Sequence, residues 1–293
     1  MIRHTYTLEI ITPCFCAGAD PAIAEIRAPS IRGQIRWWFR VLGGNAADEA
    51  AVFGSVAGNE GTGSAVRIAV SGFKAGPVWN PPNVNQNNAD SYTWHYARES
   101  GKPPSSGRQT AGPRWQSKGA IPPGSSFNLI VSQLRPLAGK RQITLDFAVA
   151  AFLCFGTIGL RASRGLGAFT CNEAKPWRDM LTPLSQAGFG IALRQQPESF
   201  PSWESALKDW SAWLRYSLRD PKKGGVKADT FSALGGIQPR QASAVRFRPI
   251  KLSDQFTWLA LEAPHGRVLG TKASAVLTPT LFKGPAPSAP IRR

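Results

Sequence analysis

Between Ile26 and Arg40 the chain reads IRAPSIRGQIRWWFR, with four arginines, two adjacent tryptophans and no carboxylate. Guanidinium groups offer five donors in a planar fork that matches phosphate oxygens, and they also stack on aromatic rings. Such a stretch suits an anionic partner. Arg32, Arg36 and Arg40 recur every fourth residue, so on a helix they line one stripe. The flanking acids are Glu25 and Asp48, which leaves no carboxylate along that helix to pair with them. The competing reading is a solvated helix face, the commoner fate of a charge stripe. The tryptophans divide. Trp38 falls on the apolar stripe and belongs to a core, whereas Trp37 is available either for packing or for stacking on a base.

A second candidate lies at 156–169, GTIGLRASRGLGAF. Closely spaced glycines let backbone N–H groups approach phosphate, and Arg161 and Arg164 would add charge-assisted hydrogen bonds. No Gly-Lys-Ser/Thr is present, so this is not a Walker loop. Thr170 stands where a dinucleotide fingerprint needs its last glycine, and the stretch follows a helix and enters a strand, the reverse of both motifs. The plain alternative is a tight turn. A third candidate is Arg246 and Arg248, which alternate with Val245 and Phe247. On a strand both would point to one basic face, or they would keep an edge strand soluble.

Catalytic chemistry has little support in the residue types. His4, His95 and His265 sit in no motif, and no carboxylate pair, Ser-His-Asp order or HExxH is present. Asp20, in an AGAD loop, reads as structural. Cys14 and Cys16 are one residue apart where zinc knuckles need two to four, and no second pair follows. The expectation is reduced, mostly buried thiols, no metal, no cofactor and no reaction.

The elements that would carry these residues follow from periodicity. Residues 4–12 alternate as a strand. Ser30 is a candidate N-cap for a helix over 31–42, stopped by Gly43-Gly44. Residues 64–73, 125–135 and 167–174 have strand character, and 143–160 begins as a buried helix. The order strand, helix, strand, strand, helix, strand is the ferredoxin-like plan shared with the RRM. Residues 76–124 interrupt it with a basic stretch dense in Pro, Gly, Asn and Ser, read as a partly mobile insertion. The second half predicts a helix over 202–220, a basic turn at KKGGVKAD, strands at 243–252 and 256–263, and a frayed tail. The expected class is α+β, as two ferredoxin-like (RRM-like) domains over 1–175 and 176–293.

Composition agrees with a polyanionic partner. Thirty-five Lys and Arg against eighteen Asp and Glu give +17 and a pI near 10.4, a field that attracts nucleic acid or anionic lipid. No apolar run of about 18 residues and no leader pattern supports the lipid reading, so a soluble, cytoplasmic protein without a membrane partner is expected.

TPCFCAGAD after the first strand, then EIRAPSIRGQIRWWFR, then GLRASRGLGAF after the second long helix, together resemble the RAMP superfamily of CRISPR effector proteins. Within it they resemble the first-subunit family of the type III-B, or Cmr, complex. QASAVRFRP at 241–249 is similar to a motif of that family's second domain, while residues 76–124 match nothing in it and Cys16-Ala17 stand where it often has small residues or glycine. The resemblance implies a non-catalytic subunit of a multi-protein ribonucleoprotein for antiviral defence. That subunit would hold the guide RNA 3′ region and the 5′ part of target RNA at the end of the backbone filament, beside other Cmr subunits. It also implies RNA-backbone contact at Arg161, Ser163, Arg164, Gly165 and Gly167, adding to the stripe Arg32, Arg36 and Arg40 and to Arg246 and Arg248. Two alternatives stand beside it: a guide-processing endoribonuclease of the same superfamily, with His4 the one candidate base, and a general RNA-binding protein, against which the RRM signature is absent.

Overall fold

The alternation at the N-terminus forms strand β1 (Ile2–Ile10) in a computed structural model that describes residues 2–20, 23–57, 60–79, 120–194, 198–214, 233–237, 240–269 and 277. The chain divides into two compact units, Met1–Met180 and Leu181–Arg293. Both mix helices with antiparallel sheet.

In the first unit β1 is followed by helix α1 (Ala28–Val41), helix α2 (Ala46–Phe53), the hairpin of β2 (Ser55–Ala57) and β3 (Glu60–Thr62), and strands β4 (Val66–Lys74) and β5 (Ser126–Gln133). Helix α3 (Lys140–Phe155) and strand β6 (Phe169–Cys171) complete it. The four longer-range strands form one sheet in the order β4-β5-β1-β6, every neighbouring pair antiparallel. The register sets Leu8 opposite Phe127 and Tyr6 opposite Leu129. Leu8, Ile10, Phe127 and Leu129 are buried, while Thr5, Thr7 and Ser71 on the other face are exposed. That alternation is the period-two signature of a sheet covered on one face.

Helix α1 starts at Ala28 rather than after Ser30. Pro29 lies in its first turn, where the fixed proline φ already suits a helix and the missing N–H is not needed, and no side chain caps the end. Ile31, Ile35, Trp38 and Phe39 are fully buried at helical spacing, each contributing about 1.5–3 kcal/mol by leaving water. Trp38 is therefore core, and Trp37 packs edge-on against it at 5.1 Å between centroids. Helix α3 begins three residues earlier than its expected start and ends at Phe155. Thr144, Leu145, Ala148, Val149 and Phe152 to Phe155 are all buried, which accounts for its apolar character. Helix α2 and the β2–β3 hairpin were absent from the sequence reading. Asn45 caps α2 by accepting the Asp48 N–H at 2.8 Å, and Asp48 and Glu49 in the first turn complement the helix dipole.

Most of the stretch expected as an insertion, residues 80–119, lies outside the described residues. Its two described ends meet where the Gly76 N–H donates to Ser125 Oγ at 2.9 Å, and the Gly124 N–H ties the second end to β1 through the Ile10 carbonyl at 2.7 Å. Cys14, Cys16 and Cys154 are buried and in no disulfide. Burial, and then the Glu173 carboxylate hydrogen-bonded to it, push the half-buried Cys171 thiol up to about 12, so it stays protonated at neutral pH.

The second unit contains α4 (Leu181–Gln186), β7 (Gly190–Leu193), α5 (Trp203–Trp213), the short pair β8 (Gly236–Ile237) and β9 (Arg240–Gln241), β10 (Val245–Leu252), β11 (Gln255–Glu262) and α6 (His265–Val268). Its main sheet runs β10-β11-β7, antiparallel throughout. Ser202 caps α5 by accepting the Ser205 N–H. Trp210 then stacks flat on Phe247 at 4.4 Å and meets Trp258 edge-on at 5.3 Å. Aromatic contacts of this kind add about 0.5–1.5 kcal/mol beyond burial. The sequence reading missed α4 and β7. The basic turn, the end of the 202–220 helix and the C-terminal tail fall outside the described residues.

Candidate nucleic-acid interface

The stripe on α1 is real, and each of its arginines has a position fixed by α2. Arg32 Nη2 donates to the carbonyl of Phe53, the last residue of α2. Arg36 donates through Nε and Nη2 to Glu49 Oε1, with the Nε contact at 2.8 Å. Arg40 Nε lies 3.6 Å from Glu49 Oε2. Glu49 is the carboxylate that the sequence argument held to be missing: it lies outside α1, on the next helix, beyond the reach of any within-helix pairing rule. Asp48, one residue earlier, is held below the usual carboxylate range chiefly by its hydrogen bond from Arg141, 2.9 Å away. Three guanidinium groups against one carboxylate leave the face net positive. Arg32 and Arg36 are half-buried and Arg40 is exposed, so Arg40 is the most open of the three to solvent.

The glycine loop is pinned from below. The Gly167 N–H donates to the Pro13 carbonyl at 2.9 Å, the Leu160 N–H to the Phe15 carbonyl at 2.8 Å, and Thr12 Oγ1 donates to the Gly165 carbonyl at 2.8 Å while accepting the Ala168 N–H. Two glycines are demanded by this packing. Gly159 (φ 87°) would place a Cβ 2.5 Å from the Phe15 carbonyl oxygen, and Gly167 (φ 66°) would place one 1.8 Å from that of Ile158. The N–H groups of Arg164, Gly165 and Gly167 are spent inside the loop, donating to the carbonyls of Arg161, Ala162 and Pro13. Arg164, at 4% exposure, is buried with Gly165 and Gly167. These three residues shape the loop rather than face solvent. Arg161 and Ser163 remain half-exposed at its apex, and Arg161 takes a left-handed backbone, φ 60°, which is uncommon for a residue with a Cβ. The Cys16 thiol lies 3.7 Å from Ser30 Oγ, so the segment under the loop also touches the first turn of α1.

Arg246 and Arg248 do share a face of β10, paired across the sheet with Leu261 and Leu259. That face is not an open basic surface. Arg248 is 3% exposed, and Leu259 and Leu261 beside it are buried as well. Burial pushes Arg246 down to about 9, which still leaves it charged at neutral pH. The alternation placed both side chains on one face but could not show that Arg248 is buried there while Arg246 stays half-exposed.

His4 lies near the start of β1, opposite Val131 and stacked on Tyr6 at 6.2 Å. The glycine loop packs beyond the other end of that strand, six residues or ~20 Å from His4 along β1. Asp20 is exposed in the loop before α1. Among the described residues no group of three or more His, Cys, Asp or Glu is placed to hold a metal, and no helix is long and apolar enough to cross a membrane. Glu49 and Phe53 are the residues of this face that the sequence reading did not single out. The signal for both was present in NAADE at 45–49, an Asn N-cap followed by acids in a first turn.

The model of the RAMP superfamily matches residues 7–170, more than half of the chain. Over 173 residues the chain is 27% identical to CRISPR system Cmr subunit Cmr1-1 of Pyrococcus furiosus, covering 57% of this chain and 44% of that one. Over 44 residues, 15% of this chain and 24% of the relative, it is 46% identical to Cmr subunit Cmr1-2 of the same organism. The matched segments thus span less than half the length of either curated relative. Among solved structures, apo Cmr1 of Pyrococcus furiosus is similar with a TM-score of 0.52 at 17% identity, covering 90% of this chain and 88% of that one. A chain of the type III-B Cmr-beta complex bound to cognate target RNA also scores 0.52, at 12% identity, covering 88% of this chain and 94% of that one. At these identities the likeness is one of fold.

Proposed function

The chain belongs to the RAMP superfamily, and from that premise we propose that it is an RNA-binding, non-catalytic subunit of a type III-B (Cmr) CRISPR effector ribonucleoprotein acting in antiviral defence. In this reading it is cytoplasmic. It holds the guide RNA 3′ region and the 5′ part of target RNA at the end of the backbone filament, beside the neighbouring RAMP subunits. We read the first unit, with its β4-β5-β1-β6 order, as ferredoxin-like, and the second as a smaller relative of the same plan over 176–293. The RNA-facing residues are Arg32, Arg36 and Arg40 on α1 with Arg161 and Ser163 at the loop apex. Arg164, Gly165 and Gly167 hold the loop's shape, and of the β10 pair the half-exposed Arg246 is the one open to RNA, Arg248 being buried.

The observation that carries this reading is Arg161. A left-handed arginine costs of order 1 kcal/mol or more and persists only where the surroundings fix it, and such outliers gather at functional sites. Here a loop pinned by hydrogen bonds from the segment 12–16 and from within itself lifts one cation to its apex. Backbone recognition of single-stranded RNA releases counterions with a slope of about 0.7 per phosphate contact. Measured by fluorescence anisotropy across a salt series, Arg161→Ala should lower the slope of log affinity against log salt by about 0.7 and weaken binding alike across RNA sequences. An unchanged slope would return Arg161 to an ordinary surface turn.

A further inference from the structure

We infer that a recess beside Arg32 and Arg36 receives one ribonucleotide of the bound RNA, its phosphate on the guanidinium pair and its ribose 2′-hydroxyl on Ser55 and Thr62; the inference rests on the RNA-binding reading above. The recess holds about 410 Å³ and lies between α1 and the β2–β3 hairpin, lined by Arg32, Arg36, Phe53, Ser55, Val56 and Thr62 among others. That volume is in the range of small-ligand sites, ~300–1,000 Å³, enough for one nucleotide and far too small for a helix.

Its chemistry is sorted by wall. On one side the Phe53 ring lies near both cations, 5.9 Å from Arg32 Cζ and 6.0 Å from Arg36 Cζ. The Phe53 carbonyl and Glu49 each engage one edge of a guanidinium, leaving part of each donor fork for a ligand and lowering the ordering cost of binding one. On the other side Ser55 and Thr62 are directly opposite in the hairpin register, and neither hydroxyl is bonded to another group among the described residues. Ser64, the next hydroxyl, is spent within the fold, donating to the Val66 carbonyl at 2.6 Å and accepting the Val66 N–H at 3.2 Å. Val56 at the rim is 92% exposed, an apolar surface for the sugar or base edge. A paired cation wall suits a phosphate, and a facing pair of unspent donor-acceptor hydroxyls suits the group that distinguishes RNA from DNA.

The test uses the full chain with a short labelled oligouridylate and its deoxy counterpart, comparing the wild type with a Ser55→Ala, Thr62→Val double variant. Both side chains lie outside the buried core, and Val keeps the shape and strand preference of Thr. The wild type should prefer RNA, and the double variant should lose ~5–10-fold in RNA affinity with DNA affinity unchanged, as expected for two hydroxyl hydrogen bonds. A wild type that binds RNA without preferring it, or a preference that survives in the double variant, overturns the inference while leaving the RNA-binding reading intact. Competition by polyglutamate that the double variant abolishes, with the RNA preference unchanged, would assign the recess to an acidic peptide instead. A wild type that binds neither oligonucleotide would instead sink the RNA-binding reading itself.

Discussion

Glu49 decides how much of the α1 charge reaches a ligand. It is 9% exposed and takes Arg36 directly, with Arg40 at 3.6 Å, so it both orients the cations and offsets one of them. Glu49→Gln retains hydrogen-bonding capacity and removes the charge. The change should steepen the salt dependence of RNA binding and raise affinity at low salt, while lowering stability by up to about 1 kcal/mol, the scale of a partly exposed ion pair. Salt-series anisotropy and a denaturant titration on the same variant measure both effects; unchanged RNA affinity together with lost stability would make the stripe purely structural. At this scale the sequence was a good guide to side-chain direction and a poor guide to partners. The four-residue spacing of Arg32, Arg36 and Arg40 sets their common face whatever surrounds the helix. Their acid comes from a different helix, and Arg164 and Arg248 are buried by tertiary packing, which no local pattern records.

Two glycines separate the elements that tolerate change from those that do not. Gly33 lies mid-way along α1 with nothing within 4 Å of an added Cβ, whereas at Gly167 a Cβ would meet a backbone carbonyl at 1.8 Å and the backbone is left-handed. Gly33→Ala should stabilise the protein by about 0.5–1 kcal/mol through helix propensity, and Gly167→Ala should destabilise it by more than about 1 kcal/mol through strain and displacement of the loop. Opposite shifts in melting temperature would support the assignment; a neutral Gly167→Ala would mean that the loop is not pinned as described. The long elements β1, α1, β5, α3, β10 and β11 were legible because each carries a sustained period or apolar run. Helix α2 spans only Ala46–Phe53 and β7 only Gly190–Leu193. Elements that short do not repeat a pattern often enough to stand out, although the Asn45 cap was readable.

For the molecule as a whole, the +17 charge supplies long-range attraction to polyanions and no sequence preference, which agrees with the proposed role of following an RNA backbone while base pairing supplies specificity. The most direct measurement of the central claim is affinity purification of the tagged full-length protein from its native host, with mass spectrometry of co-purifying proteins and sequencing of co-purifying small RNAs. The account predicts recovery of further Cmr subunits together with guide RNAs, with the RNA reduced when Arg32, Arg36 and Arg161 are replaced by alanine together. Recovery of the chain alone, or of Cmr subunits whose guide RNA content is indifferent to those replacements, would contradict it.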